Sequence, residues 1–114
     1  MTVTDFPSRR KELRSGYRTL NEVIPEQMKG FGELHRSAVA EGALPSATKE
    51  LMAVAIAICM RCEDCIALHV HDALRAGATP EQVHETIGVA LLMGGGPAST
   101  YATRAVAALE QFTA

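Results

Sequence analysis

The chain has 114 residues, a formal net charge of −2, and only three Phe and two Tyr as aromatic residues. This length is typical of one domain, which we expect to span residues 1–114. The near-neutral charge argues against nucleic acid as a partner, because surfaces that bind phosphates are basic. The longest apolar run, residues 51–60, is too short to span a membrane, so we expect no membrane partner. Residues 1–7 lack the apolar segment of a signal peptide, so we expect a cytoplasmic location.

The predicted secondary structure is helical throughout, because the alternating apolar pattern and the β-branched clusters of strands are missing. The predicted helices, in chain order, are residues 8–14, 25–40, 47–60, 63–76, 79–93 and 98–112. Small side chains bury little area each, so burial between subunits is expected to add to the core. We therefore expect an all-α fold, a compact bundle of about six helices that is oligomeric.

Glycine, proline and capping residues set the predicted helix ends. The first helix is predicted to end near Gly16, and its Arg-Arg-Lys run at residues 9–11 is expected to face solvent. Ser46 is predicted as the N-cap of the third helix. Thr-Pro-Glu-Gln at residues 79–82 predicts a capping box for the fifth helix, and Gly-Gly-Gly-Pro at residues 94–97 predicts a break before the sixth.

All three cysteines, Cys59, Cys62 and Cys65, lie close together on the third and fourth helices. In a reducing compartment such a cluster indicates redox or metal chemistry rather than a structural disulfide. Cys62, Cys65 and His69 share one face of the fourth helix, because they are spaced by three and four residues. Two thiols at this spacing can close a disulfide, and a helix N-terminus stabilises a thiolate. His69, one turn away, could take the thiol proton.

The charges around the two cysteines act in opposite directions. Arg61 adds a positive charge that favours a thiolate, whereas Glu63 and Asp64 repel a second negative charge. We therefore expect one activated cysteine in this segment.

Glu50 lies twelve residues before Cys62, near the front of the apolar third helix. If that helix packs on the fourth, Glu50 is a carboxylate that faces an apolar core and is suited to proton transfer near neutral pH. Alternatively, Glu50 lies in the first helical turn, where the helix dipole favours it, and is exposed to water. The residues leave both interpretations open.

The spacing Glu50-x11-Cys62-x2-Cys65-x3-His69 resembles the signature of the alkylhydroperoxidase D-like group within the carboxymuconolactone decarboxylase family. The flanking sequences LMAVAIAI and ALLMGGGPAS also resemble that family, and the resemblance covers about residues 44–108. It implies an all-helical homo-oligomer, a trimer or hexamer, that reduces hydrogen or organic peroxides without a bound cofactor.

The resemblance also implies a role for each residue of the signature. Cys65 would attack the peroxide and become a sulfenic acid, and Cys62 would resolve it as a disulfide. Glu50 and His69 would relay the proton, and a lipoyl- or thioredoxin-like dithiol protein would reduce the disulfide. Asp64 occupies the position at which the best-studied peroxidases of the group carry a second relay histidine, so the chain departs from the family's pattern there.

Other functions compete with that of a peroxidase. A zinc site of the Cys3His type could formally be built from Cys59, Cys62, Cys65 and His69. This segment is predicted to be two continuous helices, however, whereas zinc sites of this type use knuckle loops. We therefore predict no metal, and expect Cys59 to be a small buried hydrophobe. A non-catalytic, redox-responsive dithiol module also fits, whereas a decarboxylase-like lyase fits less well, since the true decarboxylases lack the cysteine pair. The histidines other than His69 are expected to be structural or exposed.

Overall fold

The computed structural model describes residues 4–114, and in this part of the chain all regular structure is helical. The helices are α1 (Phe6–Val23), α2 (Pro25–Val39), α3 (Ser46–Cys59), α4 (Glu63–Arg75) and α5 (Pro80–Thr113). The predicted all-α fold is confirmed, with five helices because the last two predicted ones are joined. None of these helices is both long enough and apolar enough to cross a membrane.

A core bundle of α3, α4 and α5 holds most of the buried side chains. Val54 and Ile58 of α3 and Ile66 and Val70 of α4 belong to one cluster and have no exposed surface. The second half of α5 adds a buried stripe of small residues at helical spacing, Ala98, Ala102, Ala105 and Ala108. Burying one Val or Ile side chain contributes about 1.5–3 kcal/mol, so these aliphatic residues are the main source of stability in a core with few aromatics.

Helices α1 and α2 form an arm beside the core bundle, which we call the α1–α2 arm. Phe6 is the single buried residue of α1, and no residue of α2 is buried. Phe6 ties the arm to the end of α5, because its N–H donates to Gln111 Oε1 at 2.7 Å. Gln111 Nε2 in turn donates to the carbonyl of Thr4 at 2.8 Å. The rest of the arm leaves a gap against α3 and α4, which contains the site described below.

Helix α1 is longer than predicted and passes through Gly16 without a break. A glycine inside a helix lowers the stability of the helix by about 1 kcal/mol relative to alanine. This loss is too small to end a helix that has clear start and stop signals at its two ends. At its start, the Asp5 side chain accepts from the N–H of Ser8 at 3.1 Å. At its end, Ile24 has φ −135° and ψ 64°, because the residue before Pro25 is held out of the helical region. The predicted end at Gly16 is therefore wrong.

The two predicted N-caps have different outcomes. The capping box is present, since Thr79 Oγ1 accepts from the N–H of Gln82 at 3.2 Å and Gln82 Oε1 accepts from the N–H of Thr79 at 3.0 Å. Ser46 is not an N-cap, because α3 begins at Ser46 itself and Pro45 takes the capping position without a side-chain bond. The N–H of Ser46 instead donates to Glu41 Oε1 at 3.1 Å.

The break predicted at residues 94–97 is a kink inside α5 rather than a gap between two helices. Gly95 has φ 67° and ψ −149°, a conformation that glycine adopts at low energy and other residues do not. Pro97 follows two residues later and has no N–H to continue the hydrogen-bond ladder. The chain therefore changes direction at Gly95 and continues as a helix to Thr113.

Gly94 lies where α5 crosses the end of α3, and a methyl group at this position would clash. An added Cβ would lie 2.5 Å from the Cβ of Ala98 and 3.0 Å from the Sγ of Cys59. We expect Gly94→Ala to lower the free energy of unfolding by about 1–3 kcal/mol, measured by urea denaturation. Gly88→Ala, where nothing lies within 4 Å of the added Cβ, should be neutral or stabilising. Equal losses in both variants would contradict this explanation.

Candidate active site

The turn between α3 and α4 places Cys62 at the start of α4. Arg61 has a left-handed backbone, with φ 57°. Its N–H donates to the carbonyl of Ile58 at 3.2 Å, and the N–H of Cys62 donates to the carbonyl of Ala57 at 3.0 Å. These two bonds are a Schellman motif. The motif ends α3 and brings Cys62 directly into the N-cap position of the next helix.

Cys62 and Cys65 form a disulfide-bonded pair, with their Cα atoms 5.2 Å apart. The Sγ of Cys62 accepts a hydrogen bond from the N–H of Cys65 at 3.2 Å, so the sulfur caps α4. The free N–H groups and the dipole of a helix N-terminus stabilise negative charge. The first turn of α4 therefore favours a thiolate when the disulfide is reduced.

Glu50 and His69 form a hydrogen-bonded pair one helical turn beyond Cys65. Glu50 Oε1 and His69 Nδ1 are 2.7 Å apart, and only 5% of Glu50 is exposed. Because α3 begins at Ser46, Glu50 lies in the second turn of the helix and packs towards α4. The alternative of an exposed carboxylate in the first turn is wrong. An ionised Glu50 accepts from the Nδ1–H of His69, which leaves Nε2 able to accept a proton.

A cavity of about 840 Å³ lies between the α1–α2 arm and helices α3 and α4. Cys62, Cys65 and His69 all line this cavity, which we call the dithiol cavity. Much of its remaining wall is apolar and open to solvent, as at Phe31 of α2 and Ile56 of α3. A cavity of this size and character is typical of small-molecule sites.

A second, smaller cleft of about 340 Å³ is lined by Glu50, which does not line the dithiol cavity. His35 and Asp72 line it too, and one ligand atom from each of these three residues lies within 4.8 Å of the others. Such a set has donors suited to a divalent cation. Arg36 and Arg75 line the same cleft, and their positive charges offset the negative charges of the two carboxylates, which weakens the attraction of the cleft for a cation.

The sequence predicts that the histidines other than His69 are structural or exposed, and the structure places one of them, His35, at the site. The ring centroid of His35 lies 6.0 Å from that of His69, and His35 lines both the dithiol cavity and the smaller cleft. It comes from α2, so only the packing of the α1–α2 arm brings it to the site, and no sequence spacing indicates this. His84 is exposed as expected, and His71 is partly buried, with its Nδ1 2.9 Å from Oδ1 of Asp72.

The two carboxylates between the cysteines are each held by an arginine. Arg9 Nε donates to Asp64 Oδ1 at 2.5 Å, and a terminal nitrogen of Arg9 lies 3.3 Å from Glu63 Oε1. Arg104 Nε donates to Glu63 Oε2 at 2.9 Å, and its guanidinium lies 4.1 Å from the centre of the Tyr101 ring. The hydrogen bond to Asp64 and the attraction of that carboxylate raise the pKa of Arg9 above its usual value. Arg9 therefore pairs with α4, although the sequence predicts that it faces solvent.

Cys59 lies at the end of α3 and is outside the disulfide. Its thiol donates to the carbonyl of Ala90 on α5 at 3.4 Å. The residue is exposed, so the prediction of a buried hydrophobe is wrong. Within residues 4–114, the three cysteines and His69 do not form a group at metal-ligand distances.

Comparison with known proteins finds the same family over most of the chain. The model of the carboxymuconolactone decarboxylase family matches residues 25–108. A family member from Legionella pneumophila has a similar structure, with a TM-score of 0.92 and 38% identity, covering 96% of this chain and 97% of that one. A second, from Thermotoga maritima, has a TM-score of 0.78 and 31% identity, covering 90% of each chain. An involvement in the antioxidative response has been suggested for the Thermotoga protein.

Relatives are also found by sequence alone. An uncharacterized protein of Cupriavidus necator is 38% identical over 98% of this chain and 99% of its own length. An uncharacterized protein of the cox locus in Paracoccus denitrificans is 44% identical over 71% of this chain and 73% of its own length.

Proposed function

The chain belongs to the carboxymuconolactone decarboxylase family, and we propose that it is a thiol-dependent peroxidase that reduces hydrogen or organic peroxides. The observation that carries this proposal is the 2.7 Å hydrogen bond between Glu50 and His69, next to the Cys62–Cys65 pair. A dithiol alone serves many redox roles. A dithiol with an adjacent proton relay, whose carboxylate is buried, has the groups that cleavage of a peroxide bond uses.

In the first half of the proposed cycle, Cys65 gives its proton to His69 and the thiolate attacks one oxygen of the peroxide. The O–O bond breaks, and the sulfur is oxidised to a sulfenic acid. The leaving alkoxide or hydroxide takes the proton from His69 and departs as an alcohol or water. Glu50 accepts the Nδ1–H bond throughout and stabilises the imidazolium while it holds the proton.

In the second half, the Cys62 thiol attacks the sulfur of the Cys65 sulfenic acid. A disulfide forms and water leaves. The Cα separation of 5.2 Å suits this step, because it lies within the range of disulfides. A lipoyl- or thioredoxin-like dithiol protein then reduces the disulfide by exchange and is itself oxidised. The two electrons come from thiols, so the cycle uses no bound cofactor.

We also propose that the protein is a homo-oligomer, a trimer or hexamer as the family resemblance implies. Large apolar side chains are exposed just after α3 and on α5, with Met60 73%, Leu92 81% and Met93 78% exposed. Extended apolar patches on a protein surface mark interaction sites, and contacts between subunits would cover these side chains. Light scattering after size-exclusion chromatography measures the number of subunits.

Free-thiol counting with intact-mass and metal analysis tests the proposed function. The reduced protein has three thiols, because the chain has three cysteines. We expect one equivalent of peroxide to lower this number to one, through a Cys62–Cys65 disulfide that an added dithiol reverses. In the presence of excess dithiol, peroxide consumption should continue over many turnovers.

Each alternative has its own outcome in this experiment. Thiols that stay reduced would rule out the peroxidase, and bound zinc would then indicate the Cys3His site. A disulfide that forms without continued peroxide consumption would indicate a redox-responsive module rather than an enzyme. Thiols that stay reduced without metal would leave the decarboxylase-like lyase as the alternative to assay.

A further inference from the structure

The first turn of α4 carries two carboxylates between the two cysteines, in the order Cys62, Glu63, Asp64 and Cys65. Asp64 lines the same cavity as both cysteines. A negative charge beside a thiol disfavours the thiolate, which is the form that attacks a peroxide. The local sequence therefore opposes the stabilisation that the helix N-terminus provides.

Arginines from distant parts of the chain neutralise both carboxylates. Asp64 accepts from Arg9 Nε at 2.5 Å, across 55 residues of sequence. Glu63 accepts from Arg104 Nε at 2.9 Å, across 41 residues, and lies 3.3 Å from a terminal nitrogen of Arg9. Helices α1 and α5 thus each bring a cation to the start of α4.

Building on the peroxidase cycle, we propose that Arg9 and Arg104 are positioning residues that pair with Asp64 and Glu63 and thereby remove the repulsion between these carboxylates and the Cys65 thiolate. Arg9 has the larger role, because its partner Asp64 lines the dithiol cavity. Arg9 also belongs to the α1–α2 arm, so the packing of the arm on α4 and the reactivity of Cys65 are linked.

Alkylation of Cys65 by iodoacetamide at pH 7 measures the thiolate without peroxide or reductant. In a Cys59→Ser, Cys62→Ser background, Cys65 is the single thiol, and a serine hydroxyl can still cap α4. We expect Arg9→Gln to slow the alkylation roughly threefold, because Asp64 then keeps its full negative charge. Asp64→Asn should accelerate it by a similar factor, and the double variant should return to the parent rate.

The opposite signs separate this electrostatic role from a purely structural one. Arg9→Gln and Asp64→Asn break the same contact between α1 and α4, so loss of packing alone would change the rate in the same direction in both. Arg9→Lys, which keeps the charge, should retain most of the parent rate. Lys11→Gln, which removes an exposed charge two residues along α1, should leave the rate unchanged. At 1 M NaCl the differences should shrink, because salt screens half-exposed charges.

Equal rates for the Arg9→Gln and Lys11→Gln variants would overturn the proposal, and so would a double variant as slow as Arg9→Gln alone. Arg104→Gln should slow alkylation less than Arg9→Gln, since Glu63 keeps its contact with Arg9. The alkylation rate needs no turnover. If the protein does not consume peroxide but Arg9→Gln still slows the alkylation, the proposed peroxidase function is wrong and the proposed charge pairing stands.

Discussion

Replacement of Cys65 by serine is expected to abolish peroxide reduction, with a loss in second-order rate constant on the order of a thousandfold. A serine hydroxyl stays protonated at neutral pH, whereas the Cys65 thiol lies in the first turn of α4, where the helix N-terminus favours the thiolate. Stopped-flow measurement of peroxide consumption by the reduced protein gives this rate constant. Far-UV circular dichroism of the same sample checks that the helices are intact.

Replacement of Cys62 by serine should give a different defect. The Cys65 thiolate remains, so one equivalent of peroxide should still react and leave a sulfenic acid that dimedone traps. Turnover with a dithiol should stop or become very slow, because the thiol that forms the disulfide with Cys65 is gone. Mass spectrometry of the dimedone adduct locates the oxidised sulfur.

Cys59→Ser is the matched control for both cysteine variants. Cys59 is the free cysteine, and its thiol donates to the carbonyl of Ala90 rather than facing the disulfide. Its replacement should leave the peroxide rate close to that of the unmodified protein. If the dimedone adduct were found on Cys62 in the Cys65→Ser variant, the roles of attacking and resolving thiol would be reversed.

Local signals in the sequence were sufficient for most helix ends, because each signal acts on the backbone within a few residues. The capping box at Thr79 and the proline at Pro25 are of this kind, and both mark helix starts in the structure. Glycine was a weaker signal. Gly16 lies inside α1 and Gly95 produces a kink inside α5, since one glycine weakens a helix without ending it unless the following chain also turns away.

The candidate site was predictable only where its residues share an element or a motif. The spacing of Cys62, Cys65 and His69 along α4 was enough to bring them to one face, whereas the burial of Glu50 depended on how α3 packs against α4. His35 and Arg9 could not be predicted, because they come from the α1–α2 arm. Their partners are far away in sequence, as the separation of 55 positions between Arg9 and Asp64 shows.

Glu50→Gln is expected to slow peroxide reduction roughly a hundredfold while the protein stays folded. The amide has nearly the same volume and can still accept from His69, but it carries no charge to stabilise the imidazolium that forms when Cys65 gives up its proton. The stopped-flow rate constant measures the loss, and thermal unfolding measures stability. Glu85→Gln, the same change at an exposed position on α5, should leave the rate unaffected.

A test of Glu50 with His69 asks whether the two residues act as one relay. His69→Gln alone should slow peroxide reduction about as much as Glu50→Gln does. The double variant should be little slower than either single variant, because the effects of substituting groups that act as a unit are strongly non-additive. Their 2.7 Å hydrogen bond is the physical basis for this expectation. Losses that multiply in the double variant would mean that Glu50 acts independently of His69. In that case Glu50 would exchange its proton through the smaller cleft, where His35 and Asp72 lie beside it.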